Sequence, residues 1–307
     1  TYQHKIFKTV CRRIGLAHGS WRRVTRRIVV GAVCALTVSS LLMPSVSLAA
    51  EWVDVGGTQY NAGTAAGDAA GTTAAADSDL AYVKSKGTLV VGITDFAPMD
   101  YQEAGSDEWI GFDADMAKAF AKSLGVEVKF IPIDWDYKVA ELNNKSIDCV
   151  WNGMTLTEEV TTAMSCSDAY CNNAQVVIVP ADKADSYKTA EDCKSLQFAV
   201  EAGSAGKQAA EANGFTFTEV VDQATALSEV AAGTADAAII DSLMAAAMVG
   251  EGTSYASLTY TASLTTEEYG VGFRQGSDLT AALNEFFAAS KADGSMEKTA
   301  ETYGVQA

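Results

Sequence analysis

Short apolar runs alternate with helical patterns from Leu80 to the end of the chain, and this alternation limits the fold more than any other feature. Leu89–Ile93, Val176–Val179 and Ala237–Asp241 are runs of the kind that form buried strands. Strands that alternate with helices predict mainly parallel sheets with helices on both faces. In such α/β folds, ligands bind beyond the carboxyl ends of the strands.

The helical segments carry recognisable start and stop signals. Thr157 is placed to cap a helix that begins at Glu158. Gly125 is placed to end a helix with a four-residue apolar spacing, which is formed by Phe112, Met116, Phe120 and Leu124. Further helices are predicted over 136–144, 204–213, 224–233 and 279–291.

Histidine is absent after residue 50, and Arg274 is the single arginine in that part of the sequence. A Ser–His–Asp or Cys–His catalytic site therefore cannot be built there, nor can a histidine zinc site. We expect no catalytic residue, no metal and no cofactor.

The charge is divided between a basic leader and an acidic body. Residues 1–50 hold eight of the 22 basic residues and none of the 39 acidic ones, so the rest of the chain carries a net charge of about −25. Such a surface repels nucleic acid and anionic lipid. It can serve solubility alone, or it can also steer cationic ligands.

The leader has the three parts of a secretory signal peptide. A basic region precedes the apolar run Ile28–Met43, and Ser47-Leu48-Ala49 offers a cleavage site. We predict a signal peptide over 1–49; an uncleaved anchor over Ile28–Ala50 is the alternative. The Gly-, Ala- and Thr-rich stretch that follows predicts a flexible linker over 50–80.

Export makes disulfide bonds possible. Cys149, Cys166, Cys171 and Cys193 remain in the body and allow three full pairings. Cys166–Cys171 is the favoured pair because it would close a short loop. The alternative is that all four are small buried thiols.

Several ordered segments together resemble one known family, the extracellular amino-acid-binding proteins of ABC importers (solute-binding protein family 3). The resemblance covers about residues 86–306, and its main segments are Phe96–Met99, Gly111–Ala117, Ile133–Asp136, Ile147–Thr157, Ser167–Tyr170, Ala202–Gly206, Ala235–Asp241, Tyr269–Val271 and Lys291–Ser295.

The resemblance implies a two-lobed periplasmic-binding-protein fold, in which each lobe is a mainly parallel sheet flanked by helices. Lobe 1 would comprise residues 81–176 and 269–307, and lobe 2 residues 177–268. The two hinge crossings would lie near Val176–Val179 and Glu267–Gly270, and ligand binding would close the lobes.

The resemblance also implies a set of ligand-binding residues. Phe96 and Trp135 match the aromatic pair that sandwiches the ligand side chain. Asp241 matches the acid that pairs with the ligand's ammonium group. The backbone and hydroxyl groups that meet its polar ends match Asn152, Gly153 and Thr155 on one lobe and Ser204 and Ala205 on the other. Each position also has a purely structural interpretation, such as core packing for Phe96 or helix capping for Ser204.

One position departs from the family pattern. An arginine that grips the ligand's α-carboxylate follows the Thr-x-Thr loop in the family, and Val160 occupies that position in this sequence. Arg274 is too distant along the chain to be assumed as its replacement. Either the carboxylate is held by Thr155, Ser204 and backbone N–H groups, or the ligand lacks a free α-carboxylate.

The function implied is that of an extracytoplasmic, non-enzymatic binding protein. It would be a monomer that captures an amino acid or an analogue and delivers it to the membrane subunits of an ABC importer. Two alternatives stay open. One is a dehydratase-like enzyme on the same scaffold, which would have to use Asp95, Asp241, Glu201 or a lysine. The other is a ligand-sensing module tethered by the leader.

Overall fold

The computed structural model describes residues 52–55, 58–61 and 78–307. The predicted signal peptide lies outside these residues, as does most of the predicted linker. Within the linker range, β1 (Trp52–Val55) and β2 (Thr58–Asn61) form an antiparallel hairpin, and helix α1 (Asp79–Lys86) begins before the predicted linker ends. Among the described residues, no helix has the length and apolar character needed to cross a bilayer.

The first large sheet has six strands in the order β6-β3-β7-β15-β8, and β9 also pairs with β15. The bounds of its strands are β3 (Thr88–Ile93), β6 (Glu127–Pro132), β7 (Cys149–Thr155), β8 (Ser165–Cys166), β9 (Cys171–Asn173) and β15 (Glu267–Phe273). The pairings of β3 with β6 and β7 are parallel, and all pairings of β15 are antiparallel. A separate short pair, β4 (Tyr101–Gln102) and β5 (Trp109–Ile110), is antiparallel.

Helices cover both faces of this sheet. As a result, alternate residues of β7 pack in two different clusters of buried apolar side chains. Cys149 and Trp151 pack in the cluster that contains Phe120 of α2 (Phe112–Leu124), whereas Val150 packs with Leu142. Of the predicted apolar stripe of α2, Phe112, Met116 and Phe120 are buried, and Leu124 is half-buried against the same core. Burying each such side chain contributes about 1.5–3 kcal/mol. The remaining helices of this part are α3 (Lys138–Asn143), α4 (Glu158–Ala163), α8 (Leu279–Ala292) and α9 (Ser295–Tyr303).

The second large sheet has five strands in the order β12-β11-β13-β10-β14. Its strands are β10 (Gln175–Pro180), β11 (Gln197–Glu201), β12 (Thr216–Val220), β13 (Ala237–Asp241) and β14 (Leu258–Ser263), and its helices are α5 (Ala205–Asn213), α6 (Gln223–Ala232) and α7 (Ser242–Met248). On one face, Val177 and Ile239 pack with Ala210 of α5; on the other, Ile178 packs in the cluster that contains Leu227 of α6.

Both sheets are mixed, and the antiparallel part was not predicted from the sequence. β11 pairs in parallel with β12 and β13, but β10 is antiparallel to both of its neighbours. The chain passes from one sheet to the other at Ala174 and again over 264–266. Each passage delivers an added strand in the opposite direction, which is why β10 and β15 run antiparallel to the strands beside them.

The favoured disulfide pairing is wrong, because Cys166 and Cys171 lie on separate short strands. Both strands pair with the same side of β15, where Cys166 is opposite Gly272 and Cys171 is opposite Tyr269. Three residues along a strand span about 10 Å, whereas Cα atoms joined by a disulfide lie only about 4.4–6.8 Å apart. All four cysteines of residues 78–307 are free thiols.

Candidate ligand-binding cleft

A cleft lies between the two large sheets, at the carboxyl ends of β7, β11 and β13. It is lined by Thr94, Phe96, Trp135, Lys138, Asn152, Gly153, Met154, Thr155, Thr157, Glu159, Val160, Glu201, Gly203, Ser204, Ala205, Gln208, Gln223 and Asp241. All eight predicted ligand-binding residues are among them, although their role toward a ligand stays a prediction. Asp95, one of the acids that an enzyme would have to use, is exposed and does not line the cleft.

The side chain of Asn152 is hydrogen-bonded within the wall of the cleft. Its Nδ2 donates to the carbonyl of Thr94 at 3.0 Å and to Asp100 Oδ2 at 2.8 Å, while its Oδ1 accepts from the Thr94 hydroxyl at 2.7 Å. The side-chain amide is therefore already occupied by protein groups. Asn152 shapes the cleft rather than offering its amide to a ligand.

Gly153 is held by a buried carboxyl group. Its N–H donates to Asp113 Oδ2 at 2.6 Å, and the Tyr170 hydroxyl donates to the same oxygen at 2.8 Å. Burial raises the pKa of Asp113 to about 7 in spite of these two donors. The backbone of Gly153 has a left-handed φ of 52°, and the ring of Phe96 packs directly against its Cα.

Replacing Gly153 with alanine is expected to destabilise the fold and to distort the cleft. An added Cβ would lie 2.4 Å from Cε1 of Phe96, and alanine at positive φ is itself strained. We expect a loss of about 1–3 kcal/mol, measured by urea unfolding. Gly214→Ala is the matched control, since Gly214 also has a positive φ but nothing lies within 4 Å of its added Cβ. Equal losses in the two variants would mean that the contact with Phe96 is unimportant.

Thr155 connects the cleft to the strand that returns from the second sheet. Its hydroxyl donates to Glu267 Oε1 at 2.8 Å, and the same oxygen accepts from Asn173 and Gln175 at 2.7 Å each. Thr155 is thus bonded to a residue at the passage between the sheets, in addition to lining the cleft.

The position at which the resemblance predicts a carboxylate-binding arginine is apolar in this structure. Val160 is buried and packs in a cluster with Leu142 and Met164. Arg274 does not substitute for it, because its guanidinium pairs with Asp79 at 2.8 Å outside the cleft lining. A ligand carboxylate would therefore meet no arginine in the described cleft.

Asp241 ends β13 and is surrounded by donors. Its Oδ1 accepts from Tyr269 Oη at 2.7 Å, from Gln175 Nε2 at 3.0 Å and from Asn173 Nδ2, while its Oδ2 accepts from Gln223 Nε2. Burial and the nearby charge of Glu267 raise the pKa of Asp241 to about 7.

Ser204 caps the helix that faces the cleft, as predicted. Its Oγ accepts from the N–H of Lys207 at 3.1 Å and donates to the carbonyl of Glu201 at 2.7 Å. The hydroxyl is thus used within the loop. Ala205 begins α5 at the cleft wall, where backbone N–H groups of a first helical turn favour negative charge.

Lys138 is a cleft residue that the sequence interpretation missed. Its Nζ lies 4.9 Å from the ring centroid of Trp135 and donates to the carbonyls of Trp135 and Gly203, at 3.1 and 2.9 Å. The signal available was its position, one helical turn after the aromatic residue of the predicted pocket.

Two hydrogen bonds join the sides of the cleft. The bond from Lys138 to Gly203 is one, and Gln208 Nε2 donates to Glu159 Oε2 at 3.0 Å in the other. Gly203 also lies so close to Asp136 that an added Cβ would sit 2.7 Å from its Oδ1. The cleft is therefore closed in this structure.

Glu201 is the second missed cleft residue; the sequence had suggested it only as a candidate acid for an enzyme. It ends β11 and is 4% exposed. Burial, together with the nearby charges of Asp241 and Asp222, raises the pKa of Glu201 to about 8. Its position at a strand end, just before the loop at Gly203, was the available signal.

Comparison with known proteins agrees with this arrangement. The model of the bacterial extracellular solute-binding proteins, family 3, matches residues 89–306. The L-cystine-binding protein TcyJ of Escherichia coli K12 is 29% identical over 227 residues, which are 73% of this chain and 85% of that protein.

Solved structures are similar over the same part of the chain. The ancestral amino acid-binding protein AncCDT-1, described as a precursor of cyclohexadienyl dehydratase, has a TM-score of 0.67 and 33% identity, covering 74% of this chain and 99% of that one. An ABC uptake transporter substrate-binding protein from Streptococcus pneumoniae with bound histidine has a TM-score of 0.67 and 28% identity, covering 74% and 96%.

Proposed function

This chain belongs to the bacterial extracellular solute-binding proteins, family 3, and from that premise we propose that it captures an amino acid or a close analogue outside the cytoplasm for an ABC importer. The observation that carries the proposal is the closed cleft, where both sheets contribute to one small polar site. Relatives named for cystine and histidine binding support the ligand class.

The cleft offers complementary groups for such a ligand. Phe96 and Trp135 present apolar faces, which suit a side chain or a cationic group. Glu201 provides a carboxyl group for an ammonium group, and the nearby Asp241 adds negative charge beside it. The first turn of α5 and Lys138 favour a carboxylate.

Delivery to the membrane subunits of an importer is the other half of the proposal. It rests on family membership and on the description of the Streptococcus pneumoniae structure. We propose that the chain acts as a monomer, exported by its leader, and that lobe surfaces beside the cleft meet the importer.

An enzyme is the second candidate, because one similar structure is described as a dehydratase precursor. Glu201 is placed in the cleft with a pKa raised to about 8, as a general acid would need. The cleft lining contains no histidine, and no second group of the described part of the chain lies at hydrogen-bonding distance of Glu201 Oε1. Binding without turnover therefore agrees better with the residues present.

A thermal-shift screen tests the proposal. The purified chain would be heated with each of the twenty amino acids, with L-cystine, and with amides and amines. A ligand at 100 times its Kd adds about 2.7 kcal/mol of stability, which corresponds to a rise in Tm of roughly 5–10 °C. No shift with any compound would contradict the proposal, and conversion of a binder into a product, followed by NMR, would favour the enzyme.

A further inference from the structure

Glu201 has acceptor capacity that no protein group uses. Its Oε1 is buried and has no hydrogen-bond partner among the described residues. Its Oε2 receives one long contact, 3.5 Å from Gln223 Nε2. Unpaired buried carboxyl groups are costly and are normally hydrogen-bonded. This one lies in the wall of the cleft, so the missing partner can come from a ligand.

Asp241, the acid expected to pair with the ligand, is in the opposite situation. Its two oxygens already accept four hydrogen bonds, from Asn173, Gln175, Gln223 and Tyr269. A carboxylate has about four acceptor sites. Among the acids that line the described cleft, the buried oxygen without a hydrogen-bond partner is therefore Oε1 of Glu201.

The groups that face Glu201 come from three neighbouring parts of the fold. Asp241 at the end of β13 and Asp222 at the start of α6 are acidic, Gln223 is neutral, and Lys138 approaches from the other side of the cleft. The Lys138 Nζ donates to the carbonyls of Trp135 and Gly203 instead of to Glu201. Within residues 78–307, no cation is bonded to Glu201.

We propose that Glu201 receives a cationic group of the ligand, and that the cleft selects a compound with a net positive charge, either a basic amino acid or an amine. This inference rests on the proposed binding function and specifies its ligand class. The residues that line the cleft support this selectivity, since they include three acids (Glu159, Glu201 and Asp241) and a single cation, Lys138. Val160 lines the same cleft and adds no positive charge to it.

Calorimetric titration of the full chain at pH 7 tests this selectivity with named probes. L-arginine, L-lysine, agmatine and putrescine form the basic set, and L-histidine, which is mostly uncharged overall at pH 7, L-citrulline, L-glutamine, L-cystine and L-glutamate form the comparison set. The tightest binder is expected in the basic set. A tightest binder from the comparison set would overturn the inference and leave the proposed function standing. Binding of none would count against both.

The variant Glu201→Gln identifies the residue responsible. It keeps the shape of the side chain and removes its charge, so we expect at least a 30-fold weaker affinity for the best basic probe. Glu211→Gln, the same substitution on an exposed residue of α5, is the control and should bind as the wild type does. Unchanged affinity in E201Q, with a Tm equal to that of the wild type, would overturn the inference.

Proton release gives a readout that a purely structural role would not move. An unpaired, buried Glu201 is largely protonated at pH 7, and a bound cation would ionise it. Titrations in phosphate and in Tris, which differ in ionisation enthalpy, measure the protons released. The wild type should release more protons than E201Q; equal release would contradict the inference. The wild-type measurement alone remains decisive if E201Q does not fold, since no release would then overturn it.

Discussion

Replacing Arg274 with methionine is expected to lower the free energy of unfolding by about 3–5 kcal/mol. Arg274 is 8% exposed, and its Nε donates to both oxygens of Asp79, at 3.1 and 3.0 Å. Its Nη1 donates to the carbonyls of Leu142 and Ile147, at 3.2 and 2.8 Å. Methionine keeps the apolar stem but leaves the buried Asp79 carboxylate and both carbonyls without these donors, which is why the expected loss is large.

Urea unfolding followed by tryptophan fluorescence measures this loss. Lys291→Met is the matched control, because Lys291 is an exposed cation at the end of α8, and its replacement should change stability by less than about 0.5 kcal/mol. Arg274→Lys should fall between the two, since lysine retains the charge but not the forked geometry. A loss below about 1 kcal/mol in R274M would show that Asp79 finds other partners.

The ligand-free chain is expected to become less stable as the pH rises from 5 to 8.5. Asp113 and Asp241 have pKa values raised to about 7, and Glu201 to about 8, chiefly by burial. The folded chain therefore holds protons in this window that the unfolded chain has already released, and stability falls with pH wherever that is so. The contribution is complete below the ordinary carboxyl pKa and is lost as pH passes through 7 to 8.

The expected loss across this window is several kcal/mol, at about 1.4 kcal/mol for each unit by which one pKa is raised. Asp79 changes the stability with pH in the opposite direction. Burial alone would raise the pKa of Asp79, but Arg274 holds that pKa below its usual value. The stability that the ionised Asp79 contributes is therefore lost only in acid, below the ordinary carboxyl pKa. Urea midpoints at half-unit intervals of pH measure the profile, and E201Q should flatten its upper end. A midpoint that rises between pH 5 and 8.5 would contradict the assigned burial.

The sequence predicted most of the secondary structure because the local signals were strong. The buried stripe of α2 and the caps at Thr157 and Ser204 are all found in the structure. The direction of β10 and β15 was not predictable in the same way. An apolar run indicates a strand but does not say which neighbour it pairs with or in which direction.

The cleft was likewise predictable from the sequence only in part. The resemblance predicted that eight residues lie together, but it could not show which of their groups are already hydrogen-bonded to other protein groups. The amide of Asn152, the hydroxyl of Thr155 and the carboxylate of Asp241 are all bonded to protein partners. The positions of Glu201 and Lys138 gave a signal, but their bonding depends on contacts between distant segments, which no local pattern contains.

The two hydrogen bonds across the cleft have a kinetic consequence. The bonds from Lys138 to Gly203 and from Gln208 to Glu159 join protein groups directly, so they stabilise the closed cleft in addition to any bond that a ligand makes. A solute can enter only while both bonds are broken. The same bonds must break again before release, so they lengthen the residence time of whatever has entered.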